Sequence, residues 1–305
     1  MRYCGVLFRY ALFSAALLLV VAIPAQAKVQ LLASLKPLTL IAQEVAGDQA
    51  DVSTLLPVSA SPHDYPLKMS DHKRLRSADL VLWIGPEMES FLARPLANLK
   101  PQQVMTAYQL EGLYWPEADE SDHHHHHQNH SGHGSKDPHI WLDPRNAALI
   151  AQALAERLAQ LQPDSAQQFR ANAQRFSVSL QQLDEQLMQQ LAPVKNRGFA
   201  VYHEGYGHFV GRYGLHQVAY VTYIPERRPG AKHLQELRGV LAREGECLFM
   251  EPYYKMDAME EMAASLDLRI GLLDPIGDQQ VSSYRQLLEQ LGQGFLTCFA
   301  DGRNG

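Results

Sequence analysis

Residues 166–191 read AQQFRANAQRFSVSLQQLDEQLMQQL, and the spacing of their apolar positions decides the fold. Phe169, Ala173, Phe176, Leu180, Leu183, Leu187 and Leu191 recur at three- and four-residue steps, while Gln, Arg and Glu fill the opposite face. That period is helical and one-sided. At 1.5 Å per residue the helix would span about 39 Å. A second helical pattern runs from Arg145 up to Pro163-Asp164. Pro163 ends that helix, and Asp164 or Ser165 is placed to cap the next. Two readings compete: a long surface helix of one domain, or a rigid spine joining two lobes.

The flanks decide for the spine. Upstream, strands are expected at 28–35, 51–56 and 80–84, and helices at 38–45, 70–77 (with Ser70 as N-cap) and 87–99. Downstream the alternation restarts, with strands at 198–202, 218–223, 247–250 and 269–273. Helices at 206–213, 230–244, 257–266 and 284–296 separate them. Alternating elements with fully apolar strands argue parallel sheets covered on both faces. The fold class is therefore α/β, two αβ lobes joined by one long helix. The expected division is 28–164 for the first lobe, 165–192 for the linker helix and 193–305 for the second lobe.

In such sheets ligands collect at loops beyond the carboxyl ends of strands. Three histidines fall in loops or strand ends of that kind: His63 in Ser61-Pro62-His63-Asp64-Tyr65, His139 in Asp137-Pro138-His139-Ile140-Trp141-Leu142-Asp143-Pro144, and His203 after the strand ending at Tyr202. Asp274 follows the last strand in the same way. Neutral imidazole is the commonest side-chain ligand for zinc and its neighbours. Directly upstream of His139 lies a polar loop, 117–136, with seven more histidines: His123, His124, His125, His126, His127, His130 and His133. Its Asp, Ser, Gly, Asn and Gln cannot build a core. It reads as an auxiliary metal loop; the bland alternatives are a solvated loop that binds metal incidentally or a purification tag.

The first 27 residues have the form of a secretory signal. Arg2 and Arg9 are positive, Ala11 to Ile23 is almost wholly apolar, and Ala25-Gln26-Ala27 is a small-x-small cleavage site. The apolar run is shorter than the roughly 20 residues that span a bilayer. Cleavage after Ala27 would leave Cys247 and Cys298 as the mature chain's cysteines. An even pair in an oxidising compartment reads most simply as a disulfide, the alternative being two thiolate metal ligands. The formal net charge is −6 and no basic stripe marks a nucleic-acid surface.

The stretches TLLPVSASPHDY, SADLVLWIGPEME, DPHIWLDP, VYHEGYGHF, PGAKHL and LLDPIG occur in that order. Together they resemble the zinc-binding periplasmic component of ABC-type high-affinity zinc uptake systems, the zinc branch of the cluster of metal-receptor solute-binding proteins. The resemblance covers nearly the whole mature chain. It implies a metal held between the lobes and delivered to a membrane permease driven by a cytoplasmic ATPase, with the chain expected as a periplasmic monomer. It implies His63, His139 and His203 as metal ligands and Asp274 as a fourth. One departure stands out: Gram-negative zinc members often carry an acid just before the first histidine, where this chain has Pro62. Manganese members place a carboxylate at the third position, so His203 favours zinc. Asp64, Glu204 and Asp143 are candidates to orient the imidazoles by adjacency. Competing readings are a zinc buffer or adhesin without a transporter, and a secreted zinc hydrolase with Glu204 as base. The last lacks H-E-x-x-H, since His208 falls one place too late.

Overall fold

The computed structural model describes residues 28–116, 136–254 and 257–300. The expected signal segment and the histidine run from His123 to His133 lie outside them. Among the described residues no helix is long and apolar enough to cross a membrane.

The first sheet is built from β1 (Val29–Ala33), β2 (Ala50–Thr54), β3 (Leu80–Trp83) and β4 (Val104–Thr106). All are parallel, in the order β2-β1-β3-β4. Between them run α1 (Lys36–Ala46), α2 (Met69–Ser77) and α3 (Ser90–Leu96). Every residue of β3 is buried because both faces are covered. Leu31, Ala33, Leu80 and Leu82 belong to the central core with α1, while Leu32, Val81 and Trp83 pack with Leu75 and Leu92 of α2 and α3.

The second sheet repeats the plan with β5 (Phe199–His203), β6 (Gln217–Thr222), β7 (Cys247–Met250) and β8 (Arg269–Leu272). It is parallel in the order β6-β5-β7-β8. Its helices are α6 (Gly207–Tyr213), α7 (Ala231–Glu244), α8 (Asp257–Ser265) and α9 (Tyr284–Phe299). In both sheets the winding reverses beside the strand that comes first in the chain, β1 or β5. That reversal opens a crevice at the carboxyl ends, where ligands settle.

Two helices join the sheets, α4 (Pro144–Leu161) and α5 (Ala166–Leu191), split by a 3-10 turn at Pro163–Ser165. The helix at 166–191 is as its period predicts. It is more than a strut, because its apolar stripe is the floor of one core running from Val29 to Phe299. Near its start Asn172 donates to the Val45 carbonyl of α1. Farther along, Asp184 pairs with Arg212 of α6, and Leu187 lies under Gly292 of α9. Helices of both lobes, α1 on one side and α6 and α9 on the other, thus rest on α5.

Several local expectations are corrected. α2 starts at Met69, so Ser70 is inside the helix, and the cap position is Lys68. The Asp71 carboxylate, in the first turn, reaches back to accept the Lys68 N–H at 2.9 Å, the reciprocal bond of a capping box. α3 is shorter than 87–99 because Glu89 is drawn inward to accept the Gly85 N–H at 3.1 Å and the Ser34 hydroxyl. β4 has only three residues, too few for a periodic signal. Ser165 makes no capping bond; its hydroxyl donates to Gln49 and accepts from Gln162. Cys247, at the start of β7, is disulfide-bonded to Cys298 in the last turn of α9.

Candidate metal centre

His63 lies on the loop from β2 to α2, His139 just before a 3-10 turn at Ile140–Leu142, and His203 at the last position of β5. Their ligand-capable nitrogens all fall within 4.8 Å of one another. The Nε2 atoms of His139 and His203 are 3.2 Å apart. Two bonds of 2.0–2.1 Å at a tetrahedral zinc would set such nitrogens about 3.3 Å apart. Residues brought from both lobes therefore stand close to the spacing an ion of that size requires.

Each arm is held differently. The His139 turn is a buried plug: Trp141 Nε1 donates to the Pro275 carbonyl at 2.8 Å, and the Tyr284 hydroxyl donates to the Trp141 carbonyl at 2.5 Å. Both bonds cross from one lobe to the other. His203 is fixed by its sheet. His63 sits on the lightest scaffold. Its backbone N–H donates to Ser61 Oγ at 3.1 Å, and the loop is anchored downstream by Tyr65, which donates to Asp71 at 3.2 Å.

Carboxylates stand behind two of the rings, and neither is one of the three chosen by adjacency. Asp137 Oδ1 accepts both the backbone N–H of His139 at 3.0 Å and its ring Nδ1 at 2.7 Å. Glu251, the first residue past β7, is hydrogen-bonded to His203 Nδ1 and accepts the Tyr206 hydroxyl at 3.0 Å. Two of the three adjacent acids have other partners. Asp143 caps α4 through the Arg145 N–H and pairs with that guanidinium at 2.6 Å. Glu204 accepts from Gln217 Nε2 at 2.8 Å, and Asp64 is exposed.

Residues 31–298 match the family described as zinc-uptake complex component A, periplasmic (ZnuA). The chain belongs to the ZnuA family. It is 35% identical to the high-affinity zinc uptake system protein ZnuA of Yersinia pestis over 284 residues, 87% of this chain and 89% of that one. It is 32% identical to the Haemophilus influenzae protein of the same name, covering 96% and 99% of the two chains. A crystal structure of a ZnuA superposes with a TM-score of 0.75 at 26% identity, over 89% of this chain and 99% of that one.

The electrostatics of this ZnuA-family cleft suit a cation. Burial and the neighbouring imidazoles of His139 and His203 push His63 down to about 2, so it is neutral. Burial also lowers His139, outweighing the pull of Asp137. Asp137 itself would be raised by burial, but its interaction with the ring and backbone N–H of His139, which it accepts as hydrogen bonds, brings it to about 2 and keeps it ionised. His203 goes the other way: burial would lower it, and Glu251 raises it. Two carboxylates one step behind the rings can offset a double positive charge without touching the ion.

Asp274 lines the same chamber as the three histidines but stands outside their cluster. Its Oδ1 accepts the N–H groups of Ile276 at 3.0 Å and Gly277 at 2.9 Å, and burial raises its pKa. The chamber, walled by residues such as Val58, Pro225, Pro252 and Tyr254, holds about 40 Å³. That admits an ion with a water or two, since each water needs roughly 10–15 Å³.

Proposed function

We propose that this chain captures zinc between its lobes on His63, His139 and His203 and delivers it to the permease of an ABC transporter powered by a cytoplasmic ATPase. It would do so in the periplasm, after export and cleavage following Ala27. The observation that carries the reading is the meeting of three imidazoles from both lobes, two of them backed by carboxylates, in a ZnuA-family chain. The proposed role is binding and delivery; Glu204, the base of the hydrolase reading, accepts from Gln217 Nε2. The test is a zinc titration against a competing chelator, followed by transport in vesicles carrying the permease and ATPase. One tight site and zinc uptake that depends on this chain are expected. Tight binding without stimulated uptake would leave a buffer and refute delivery.

Asp274 is the proposed fourth ligand. One of its oxygens already serves the Ile276–Gly277 turn, so the carboxylate would bind through the other. Asp274→Ala is therefore expected to weaken zinc at least about tenfold, though by less than a histidine variant does. Wild-type affinity in the same titration would remove Asp274 from the ligand set.

The histidine loop is proposed as a collector that passes zinc to the cleft. Its sites must order backbone at roughly 1–2 kcal/mol per fixed residue and should be weaker than a preformed one. Tethering next to His139 raises their local concentration near the cleft. Deleting 122–134 is expected to remove the weak sites and leave one tight site. If the tight site vanishes with the loop, the collector role is wrong and the loop supplies a principal ligand.

A further inference from the structure

We propose that Glu251 is the positioning residue that makes His203 a ligand, and that Gly205 is the space that admits its ring. The inference rests on the zinc reading above and names two residues outside the ligand set.

An imidazole coordinates through one nitrogen only while the other holds a proton, and the partner of that proton selects which nitrogen is which. Glu251 takes Nδ1 of His203, leaving Nε2 toward Nε2 of His139. The carboxylate has little freedom of its own. It is buried, and it accepts the hydroxyl of the fully buried Tyr206, which also reaches the Leu273 carbonyl at 3.4 Å. After it, Pro252 and Tyr253, the latter at φ 79°, turn the chain away sharply. His203 ends β5 and Glu251 directly follows its paired neighbour β7. Ligand and orienting group are thus carried by one sheet, which holds angles better than a loop does.

Gly205 closes the other side. Its N–H donates to the His203 carbonyl at 2.9 Å, so the chain folds back over its own imidazole. A methyl group at 205 would come within 2.8 Å of two His203 ring carbons and nearer still to Nε2. The flexible partner in that clash is the imidazole, not the sheet. Gly205→Ala should therefore swing the ring out of the cluster and leave the fold in place. Gly207, two residues on, does the same service for the other lobe: a Cβ there would sit 2.8 Å from Asp137 Oδ2. The G-Y-G of His203-Glu204-Gly205-Tyr206-Gly207 thus provides clearance for His203 and for the Asp137 carboxylate behind His139.

The experiment is a double-mutant cycle on the full mature chain. Zinc affinity is measured by chelator competition for the wild type, Glu251→Gln, Gly205→Ala and His203→Ala, and for each of the first two variants combined with His203→Ala. Visible spectra of the cobalt-loaded proteins are recorded alongside. Glu251→Gln keeps the shape and loses the charge; a 10- to 100-fold weaker affinity is expected. Gly205→Ala should approach the loss of His203→Ala and change the cobalt spectrum in the same way. In the His203→Ala background neither substitution should cost anything more, because each acts through that ring. Additive losses, or wild-type affinity in Glu251→Gln, would overturn the proposal. If Gly205→Ala fails to fold, the Glu251→Gln arm of the cycle decides alone. A wild-type chain without a tight zinc site would instead overturn the functional reading on which this one rests.

Discussion

Zinc affinity should fall by two to three orders of magnitude when His139 is replaced by alanine, and by a similar factor for His63 or His203. Structural zinc sites with four ligands are worth about 10–16 kcal/mol, so one ligand carries roughly 3–4 kcal/mol. At 1.4 kcal/mol per tenfold change that is a factor of about 10²–10³. His63→Ala is the cleanest of the three, because the ring is only half-buried and sits on the most lightly held loop. His139→Ala also removes the ring that holds Asp137 ionised, so its melting temperature should be checked beside its affinity. Calorimetry that found all three variants binding like the wild type would refute the ligand assignment. The pH dependence has a definite sign. His63 stays neutral down to about 2 and contributes nothing near neutrality. His203 is raised above its ordinary value by Glu251, so a proton competes with zinc for it as the pH falls through that raised value. Affinity should therefore drop on acidification. In the chain without zinc, protonated His203 stabilises the fold at low pH, and that contribution is lost as pH rises through the folded-state pKa.

The architecture was legible because it is carried by period and punctuation. Residues 166–191 keep a helical period over seven turns, and runs such as Leu80–Trp83 are apolar throughout because the strand is covered on both faces. The rule that singles out His63, His139 and His203 as candidates, that ligands gather past the carboxyl ends of parallel strands, also covers Glu251, just past Cys247–Met250. Its hydrogen bond to His203 is nonetheless not readable in the sequence. Adjacency in sequence pointed to Glu204, whereas the partner of His203 comes from the neighbouring strand 48 residues away. Strand order, which no local pattern contains, decides that pairing. Asp137 was nearer to hand: it sits two residues before His139, in D-P-H, where a short side chain can fold back onto both the backbone and ring nitrogens. The shared core under both sheets was hidden for a similar reason, since an apolar stripe says that a helix face is covered but not by what.

Removing the Cys247–Cys298 disulfide should cost about 4 kcal/mol of stability and leave zinc affinity almost untouched. The bond closes a loop with a sequence separation of 51. In the chain-entropy account, a crosslink of that span withholds about 4 kcal/mol of freedom from the unfolded chain. For a protein of this size, 1 kcal/mol corresponds to roughly 2–4 °C, so the melting temperature should fall by about 10 °C. Both sulfurs are buried, so Cys247→Ala with Cys298→Ala is a better probe than serine, which would bury an unpaired hydroxyl. The separation from function follows from strand direction. Cys247 opens β7, and Glu251 lies just past its far end, four residues and about 13 Å away. α9 also keeps its own packing, with Phe295 between Phe199 and Phe249 and Leu187 under Gly292. The double variant should thus melt earlier but titrate zinc within a few-fold of the wild type. If affinity fell in step with stability, the disulfide would be positioning Glu251 through β7 and not merely restraining the unfolded chain.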